Sequence, residues 1–289
     1  MKPPAFAYCV PERVDDVLEL LVQHGADARL LAGGQSLVPL MNLRMARPAV
    51  LIDLNRCADL GRIERTAAGV SYGAMVRQVE AERSALTREH CPLVARALAQ
   101  AGPIAVRTRA TVGGTLAHAD RAAELPGVAV ALDATLVLER RTGRREVPAR
   151  TFFQGDMTTA VEPDEMLRAV VFPATEATAF ADFFEVGLRQ EGVAIAGLAA
   201  YVAWASGDGI AEARLAAIGV ESAPVRLAAV EAALKGRQLT PALIGEARDL
   251  AAAAVDPIDD AHATAKYRKH VTGALVKKAL EGALHGIKR

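Results

Sequence analysis

The chain has 289 residues, of which 52% are hydrophobic but only 4% are aromatic, so we expect a core made mainly of Ala, Leu and Val. Its 34 basic and 34 acidic residues cancel, which argues against an electrostatic nucleic-acid binder with a basic stripe. The longest charge-free apolar run, Val193 to Ala205, is shorter than the ~20 residues that cross a bilayer. The three cysteines, Cys9, Cys57 and Cys91, form no CxxC pair, which disfavours metal or iron–sulfur sites and fits a reducing cytoplasm.

The first part of the chain alternates between helix and strand patterns. Apolar residues at helical spacing predict a helix from Pro11 to Gly25, and short apolar runs predict strands over 28–32 and 49–54. This alternation indicates a small α/β unit with parallel strands. A second unit starts with a strand at Gly69 to Gly73 and includes a helix predicted from Pro92 to Gln100.

The rest of the chain changes to strands and then to helices. Short strands are predicted for TLVLER, REVPA and LRAVVF between Thr135 and Pro173, and another for Ala213 to Val220. The end predicts helices over Pro224–Leu234, Pro241–Ala254 and Lys266–Leu284. Because no long linker occurs, tight boundaries are predicted: a domain of residues 1–177 with lobes of about 1–56 and 57–177, and a C-terminal domain of residues 178–289.

Two segments contain Gly-Gly next to small or hydroxylated residues: Leu30 to Leu37 and Thr111 to Asp120. Glycine can take positive φ, and successive N–H groups can then converge on anionic oxygens. The hydroxyls of Ser36, Thr111 and Thr115 could add hydrogen bonds. The pair of segments is consistent with a diphosphate site, while each Gly-Gly alone is also typical of a tight turn. No GxGxxG fingerprint and no P-loop pattern occurs, which disfavours ordinary NAD and ATP folds.

A family resemblance is carried by two stretches, LLAGGQSLVPLMNLRMARPAVLIDLN and ATVGGTLAHADRAAELPGVAVALDA. They closely resemble the FAD-binding subunit of molybdenum hydroxylases, the family of the carbon monoxide dehydrogenase medium subunit and the xanthine dehydrogenase flavin domain. The likeness covers nearly the whole chain. It implies an α+β fold: a two-lobed FAD-binding domain of the PCMH type, with a small α/β lobe and a mixed-sheet lobe, followed by a C-terminal domain of antiparallel strands and helices.

The resemblance also implies which residues bind FAD. The first Gly-Gly segment would wrap the diphosphate, Ala101 and Glu124 would lie near the flavin, and Leu167, within one residue of register, would contact the adenine end. His118 is either a partner of flavin or ribityl oxygens or a structural loop histidine. No metal ligand and no acid or base is implied. The implied set is Leu30, Leu31, Ala32, Gly33, Gly34, Gln35, Ser36, Leu37, Ala101, Thr111, Gly114, Thr115, Ala117, His118, Glu124, Leu167 and Val193.

The chain departs from the family pattern at two places beside the expected flavin. Many relatives read Gly-Asp-aromatic-Ala where this chain has Glu191-Gly192-Val193-Ala194, which puts the aromatic cover of the isoalloxazine in doubt. Some relatives have a lysine near the position of Glu185, where a carboxylate would repel a reduced anionic flavin.

The resemblance implies an oxidoreductase subunit that passes electrons from iron–sulfur clusters through FAD to an external acceptor. The implied partners are a small subunit with two [2Fe–2S] clusters and a large molybdopterin subunit, assembled as a dimer of heterotrimers. Two alternatives are a self-sufficient flavoenzyme with its own substrate pocket and a flavin-free scaffold subunit. The first is disfavoured because no paired carboxylates, Ser–His or Cys–His arrangement is recognisable, and the second because both Gly-Gly segments are intact.

Overall fold

Three apolar cores follow one another along the chain in a computed structural model that describes residues 2–189, 192–205 and 209–286. One core lies against the N-terminal sheet, one between the five-stranded sheet and one face of the C-terminal sheet, and one against the other face of the C-terminal sheet. No helix of these described ranges is both long and apolar enough to span a membrane.

The N-terminal lobe is a parallel three-stranded sheet in the order β1-β3-β2. The first helix buries four apolar residues at helical spacing, and Gly25 ends it with a φ of 49°. The predicted parallel α/β unit is therefore confirmed, with elements shorter by up to three residues at an end. The elements are β1 (Ala7–Cys9), α1 (Val14–His24), β2 (Ala28–Leu31), α2 (Leu37–Asn42) and β3 (Val50–Asp53), with 3-10 turns at Gly25–Asp27, Leu54–Arg56 and Ala58–Leu60.

The central lobe combines a five-stranded sheet, ordered β4-β5-β10-β6-β7, with six helices before it returns to strands. Every described pairing in this sheet is antiparallel, whereas the resemblance implied a mixed sheet. The reason is that β10 lies between two hairpins and runs antiparallel to both neighbours. The elements are β4 (Ile63–Thr66), β5 (Gly69–Gly73), α3 (Gln78–Arg83), α4 (Ala85–His90), α5 (Pro92–Leu98), α6 (Ile104–Arg107), α7 (Val112–His118), α8 (Glu124–Ala131), β6 (Thr135–Arg140), β7 (Gly143–Pro148), α9 (Ala149–Phe152), β8 (Phe153–Gly155), β9 (Thr158–Thr159) and β10 (Met166–Phe172).

The C-terminal part is an antiparallel sheet in the order β11-β12-β13-β14, followed by three helices. The predicted helix at Pro224 starts only at Ala228, because Val225 and Arg226 pair with β13 as a short strand. The strand predicted from Ala213 to Val220 is observed at Ile210–Ile218, so it starts three residues earlier and ends two residues earlier than predicted. The elements are β11 (Phe180–Gly187), β12 (Ala194–Trp204), β13 (Ile210–Ile218), β14 (Val225–Arg226), α10 (Ala228–Leu234), α11 (Pro241–Ala253) and α12 (Ala265–Gly286).

The C-terminal sheet packs tightly against α8 of the central lobe. All eight residues of α8 are buried, and a Cβ added at Gly127 would lie 2.5 Å from Ile218 Cγ2. Arg121 Nη2 donates to Asp260 Oδ2 at 2.8 Å and so joins the two parts. Arg268 Nη2, from the C-terminal part itself, donates to the same oxygen at 2.6 Å. The hydrogen bond from Arg268 is the main reason that the pKa of Asp260 lies far below its usual range. The central and C-terminal parts are therefore joined by both apolar and charged contacts.

Candidate functional site

The first Gly-Gly segment forms an open loop between β2 and α2. Gly34 has a φ of +74°, and Val38 N–H donates to Gly34 O at 3.1 Å as the helix begins. The five N–H groups from Gly33 to Leu37 donate to no other group within the part of the chain that the structure describes. Consecutive free N–H groups around a left-handed glycine are the donor arrangement that binds anionic oxygens. The unpaired N–H groups and the positive φ of Gly34 are therefore consistent with the predicted anion-binding loop.

The second Gly-Gly segment is not a loop but the first turn of α7. Thr111 is its N-cap, and its Oγ1 accepts the Gly114 N–H at 2.9 Å. Gly113 N–H donates to Ala74 O at 3.0 Å, and a Cβ on Gly113 would lie 2.5 Å from Ala74 Cα. The expectation of converging free N–H groups here is thus wrong, because the helix cap and the segment that follows β5 accept these hydrogen bonds. The glycines serve close packing instead.

The structure brings the two segments together at the junction of the N-terminal and central lobes. A Cβ on Gly33 would lie 2.2 Å from Arg109 O, and a Cβ on Gly114 would lie 3.5 Å from the Cβ of Ala32. Glycine at position 33 therefore allows direct backbone contact between the lobes. The open loop lies immediately beside α7.

A polar network that the sequence analysis missed supports this junction. Arg77 donates to Arg109 O and to Asn55 Oδ1, both at 2.6 Å, and Asn55 Nδ2 donates to Ala32 O at 3.1 Å. Asp53 accepts hydrogen bonds from Asn55 and from the Tyr8 hydroxyl. Burial alone would raise the pKa of Asp53, but these hydrogen bonds lower it, so the carboxylate stays charged. The sequence signal for this network was the segment IDLN, residues 52–55, which places Asp53 and Asn55 at the carboxyl end of the parallel strand β3.

Thr115, on α7, forms a hydrogen bond with a buried glutamine. Gln78 Nε2 donates to Thr115 Oγ1 at 2.8 Å, whereas Gln78 Oε1 is buried and lacks a hydrogen-bond partner among the described residues. A buried amide oxygen without a donor is costly unless a ligand or water supplies one. Thr115 therefore fixes the amide nitrogen of Gln78, while the amide oxygen remains unsatisfied among the described residues.

Two carboxyl groups, those of Glu124 and Glu185, are largely withdrawn from water. Glu124 begins α8 and is buried, and burial raises its pKa to about 8, with the charges of Glu185 and Asp120 adding to the effect. Burial also raises the pKa of Glu185, on β11, to about 7.

The remaining predicted residues differ in exposure. Leu30 and Leu31 pair with β3 inside the sheet, while Ser36 is exposed just before α2, beside Gln35 and Leu37. Ala101 is buried after α5, and Leu167 is buried on β10 next to a bulge. Ala117 is exposed and His118 half-buried at the end of α7.

Val193 directly precedes β12 and is 71% exposed, so it is not part of the buried strand. It lines a cavity of about 420 Å³ together with Leu188, Asp120 and Arg121. Its neighbour Glu191, part of the predicted departure from the family pattern, lies outside the described residues.

Two protein families match the sequence, and together they cover most of it. Residues 4–175 match the FAD binding domain in molybdopterin dehydrogenase, and residues 183–283 match the CO dehydrogenase flavoprotein C-terminal domain. The carbon monoxide dehydrogenase medium chain of Hydrogenophaga pseudoflava is 35% identical over 98% of this chain and 98% of its own length. The 6-hydroxypseudooxynicotine dehydrogenase complex subunit alpha of Paenarthrobacter nicotinovorans is 35% identical over 99% of this chain and 96% of its own length.

Solved structures of two related chains match the fold over its whole length. A chain of the Hydrogenophaga pseudoflava carbon monoxide dehydrogenase superposes with a TM-score of 0.95 at 36% identity, covering 99% of both chains. A chain of quinoline 2-oxidoreductase from Pseudomonas putida 86 superposes with a TM-score of 0.95 at 31% identity, covering 100% of both chains.

Proposed function

Because the chain belongs to the family of FAD-binding medium subunits of molybdenum hydroxylases, we propose that it passes electrons from iron–sulfur clusters through FAD to an external acceptor. FAD supplies the redox chemistry, since it can accept and release an electron pair. The chain is the flavoprotein component of an oxidoreductase of this family. Its own residues bind the cofactor, orient it and set the charge around it.

The open loop carries this proposal, since the residues present fit the diphosphate of FAD. The five free N–H groups from Gly33 to Leu37 would hold the diphosphate oxygens, and Gly34 gives the loop its left-handed turn. The proposed contacts beyond the loop are Leu30, Leu31 and Ala32 before it, Thr111, Gly114, Thr115, Ala117 and His118 from α7, Leu167 toward the adenine, and Ala101, Glu124 and Val193 toward the isoalloxazine.

The same proposal divides the chain into residues 1–177, with lobes of about 1–56 and 57–177, and residues 178–289. The changes of sheet support these boundaries, since β3 ends at Asp53, β10 ends at Phe172 and β11 begins at Phe180. FAD would lie between the first two lobes, where the loop meets α7.

We further propose a cytoplasmic complex with a small [2Fe–2S] subunit and a large molybdopterin subunit, as a dimer of heterotrimers. Relatives of this chain support the arrangement, because they are medium chains or medium subunits of dehydrogenases and hydroxylases. The three free cysteines are compatible with a reducing compartment.

The experiment is to purify the native complex through a tag on this chain and to mix it rapidly with substrate of its molybdenum subunit. We expect iron–sulfur and molybdopterin subunits to co-purify and the flavin absorption to bleach after the iron–sulfur signal changes. A chain that purifies alone with flavin and oxidises a substrate unaided would support the self-sufficient flavoenzyme. A complex without flavin would support the scaffold alternative.

Thr115→Val is expected to weaken FAD binding by about 0.5–1.5 kcal/mol, because a hydroxyl beside the ligand is lost at nearly constant shape. It also leaves Gln78 Nε2 without its acceptor, so the free energy of unfolding should fall by about 1–3 kcal/mol. Fluorescence titration with FAD and urea unfolding measure the two effects. Thr151→Val, at an exposed hydroxyl on α9, is the control, and an unchanged FAD affinity of Thr115→Val would place this hydroxyl away from the cofactor.

Val193→Tyr is expected to slow reoxidation of the reduced flavin and to quench its residual fluorescence. The exposed position of Val193 beside the cavity leaves room for an aromatic ring, whose stacking contributes about 0.5–1.5 kcal/mol beyond area burial. FAD affinity should stay unchanged, since the diphosphate loop is not altered. Stopped-flow reoxidation provides the measurement. Identical rates and fluorescence in both proteins would indicate that Val193 does not contact the flavin.

A further inference from the structure

The N–H groups of the open loop point in directions that are set by the carbonyl oxygens of the same peptide groups. A trans peptide group is planar, so its C=O and its N–H point in opposite directions. The Gly33 N–H shares its peptide group with Ala32 O, and the Gly34 N–H shares its peptide group with Gly33 O. A side chain that holds one of these oxygens therefore orients the N–H on the opposite edge of the peptide.

Both of these oxygens are held by side-chain amides. Asn55 Nδ2 donates to Ala32 O at 3.1 Å, and Gln35 Nε2 donates to Gly33 O at 3.2 Å. The next carbonyl of the loop accepts a hydrogen bond from the start of α2. The Gln35 contact lies within the loop, whereas Asn55 reaches the loop from the turn after β3. Asn55 is thus the residue that ties the first N–H of the loop to another part of the fold.

The partners of the Asn55 amide permit only one orientation of it. Arg77 Nη2 donates to Asn55 Oδ1 at 2.6 Å, and arginine has no acceptor, so the amide oxygen must face Arg77. The NH₂ group then faces Ala32 O, and it also donates to Asp53 Oδ1. Arg77 is fixed in turn, because its Nη1 donates to Arg109 O at 2.6 Å. The donor that holds Ala32 O is therefore itself held in place.

The contacts of Arg77 cross the junction between the two lobes. Its guanidinium presents both Nη groups in one plane, so it holds Arg109 O of the central lobe and Asn55 of the N-terminal lobe at the same time. A lysine keeps the charge but loses this fork. Asn55 itself is exposed, so loss of its side chain should cost little stability, and the main consequence should fall on the loop.

We propose that Asn55, held by Arg77, is a positioning residue that aims the Gly33 N–H at the bound diphosphate. The identity of the ligand rests on the proposed function, whereas the orientation of the peptide group does not. An N–H that already points at the anion needs no ordering when the anion binds, so it contributes more to affinity than an N–H on a mobile peptide. Asn55 acts through the Ala32–Gly33 peptide group and not by contact with the cofactor.

The first test uses the chain without FAD and therefore does not depend on the proposed function. NMR relaxation of ¹⁵N-glycine-labelled protein gives the order parameter of the Gly33 N–H, and its residual dipolar coupling gives the direction of that bond. In wild type the order parameter should be about 0.85, as in rigid backbone, and in Asn55→Ala it should fall toward the flexible range below about 0.6. Gly273, inside α12, should be unchanged and serves as the internal reference. The same order parameter and coupling for Gly33 in both proteins would overturn the inference.

The second test measures FAD affinity by fluorescence titration. Asn55→Ala and Arg77→Lys should each bind FAD about two- to tenfold more weakly, the effect of losing one hydrogen bond. Because both act through one peptide group, the double variant should lose less than the product of the two single losses. The matched control is Arg237→Lys in the C-terminal part, where Arg237 also bonds a backbone carbonyl, Ala233 O at 3.2 Å, and a side chain, Glu246 at 3.0 Å. This control should keep wild-type affinity.

The two tests separate this inference from the proposed function. Wild-type FAD affinity in Asn55→Ala despite a loosened Gly33 N–H would overturn the positioning role, and single losses that multiply in the double variant would overturn the dependence of Asn55 on Arg77. A wild-type chain that does not bind FAD would contradict the proposed function, while the order parameter of Gly33 would still decide whether Asn55 orients the peptide group.

Discussion

Gly34→Val is expected to remove most of the bound FAD while the chain still folds. Gly34 has a φ of +74°, a conformation that costs a β-branched residue about 1–3 kcal/mol. The added Cβ would also lie 3.2 Å from Val38 Cγ2 and 3.4 Å from Leu31 Cδ1, so these side chains must move slightly. Loss of two N–H hydrogen bonds to a charged diphosphate, at about 1.5–3 kcal/mol each, weakens binding more than tenfold.

A matched control separates backbone strain from loss of the site. Gly236, after α10 in the C-terminal part, also has a φ of +74°, and nothing lies within 4 Å of an added Cβ. Gly236→Val should therefore lower the free energy of unfolding by a similar amount but retain FAD. Urea unfolding and the flavin-to-protein absorbance ratio are the measurements. If Gly34→Val keeps full FAD occupancy, the loop does not hold the diphosphate.

Gly33→Ala is expected to have the second large effect, through the contact between the lobes. Its Cβ would lie 2.2 Å from Arg109 O and 2.8 Å from Ala110 Cα, and neither backbone atom can move aside freely. Overpacking of this kind costs about 1–3 kcal/mol of stability. Because the loop and α7 would be pushed apart, FAD affinity should fall as well.

The control for Gly33→Ala is Gly245→Ala inside α11, where nothing lies within 4 Å of the added Cβ. This change should stabilise the chain by about 0.5–1 kcal/mol, because alanine is the better helix former. Urea unfolding and FAD titration of both variants distinguish the cases. A Gly33→Ala chain with wild-type stability and affinity would show that the two lobes can separate at this point without consequence.

Much of the fold could be predicted where a single periodicity dominates. The apolar spacing of α1 and the apolar runs of β2 and β3 each have one interpretation, and the parallel α/β lobe follows from their order. Strand β12 is buried along nearly all of its length because helices cover both faces, so it gives a continuous apolar run instead of an alternation. Val225 and Arg226 form a strand only because β13 offers an edge, which local sequence does not reveal.

The candidate site was predicted less completely, for reasons of long-range packing. The free N–H groups of the first loop follow from Gly33-Gly34 after a strand, whereas the second Gly-Gly pair lies in a helix because Thr111 caps it. The network of Asn55 and Arg77 links positions from two lobes. No local pattern contains such contacts, because each depends on how separate elements pack.

The most direct measurement is an equilibrium titration of the purified chain with FAD, followed by its absorption spectrum. We expect one FAD per chain with wild type and with Gly236→Val, and a more than tenfold weaker binding with Gly34→Val. Failure of the folded wild-type chain to bind FAD, or equal binding by all three proteins, would contradict the assignment of the open loop as the diphosphate site.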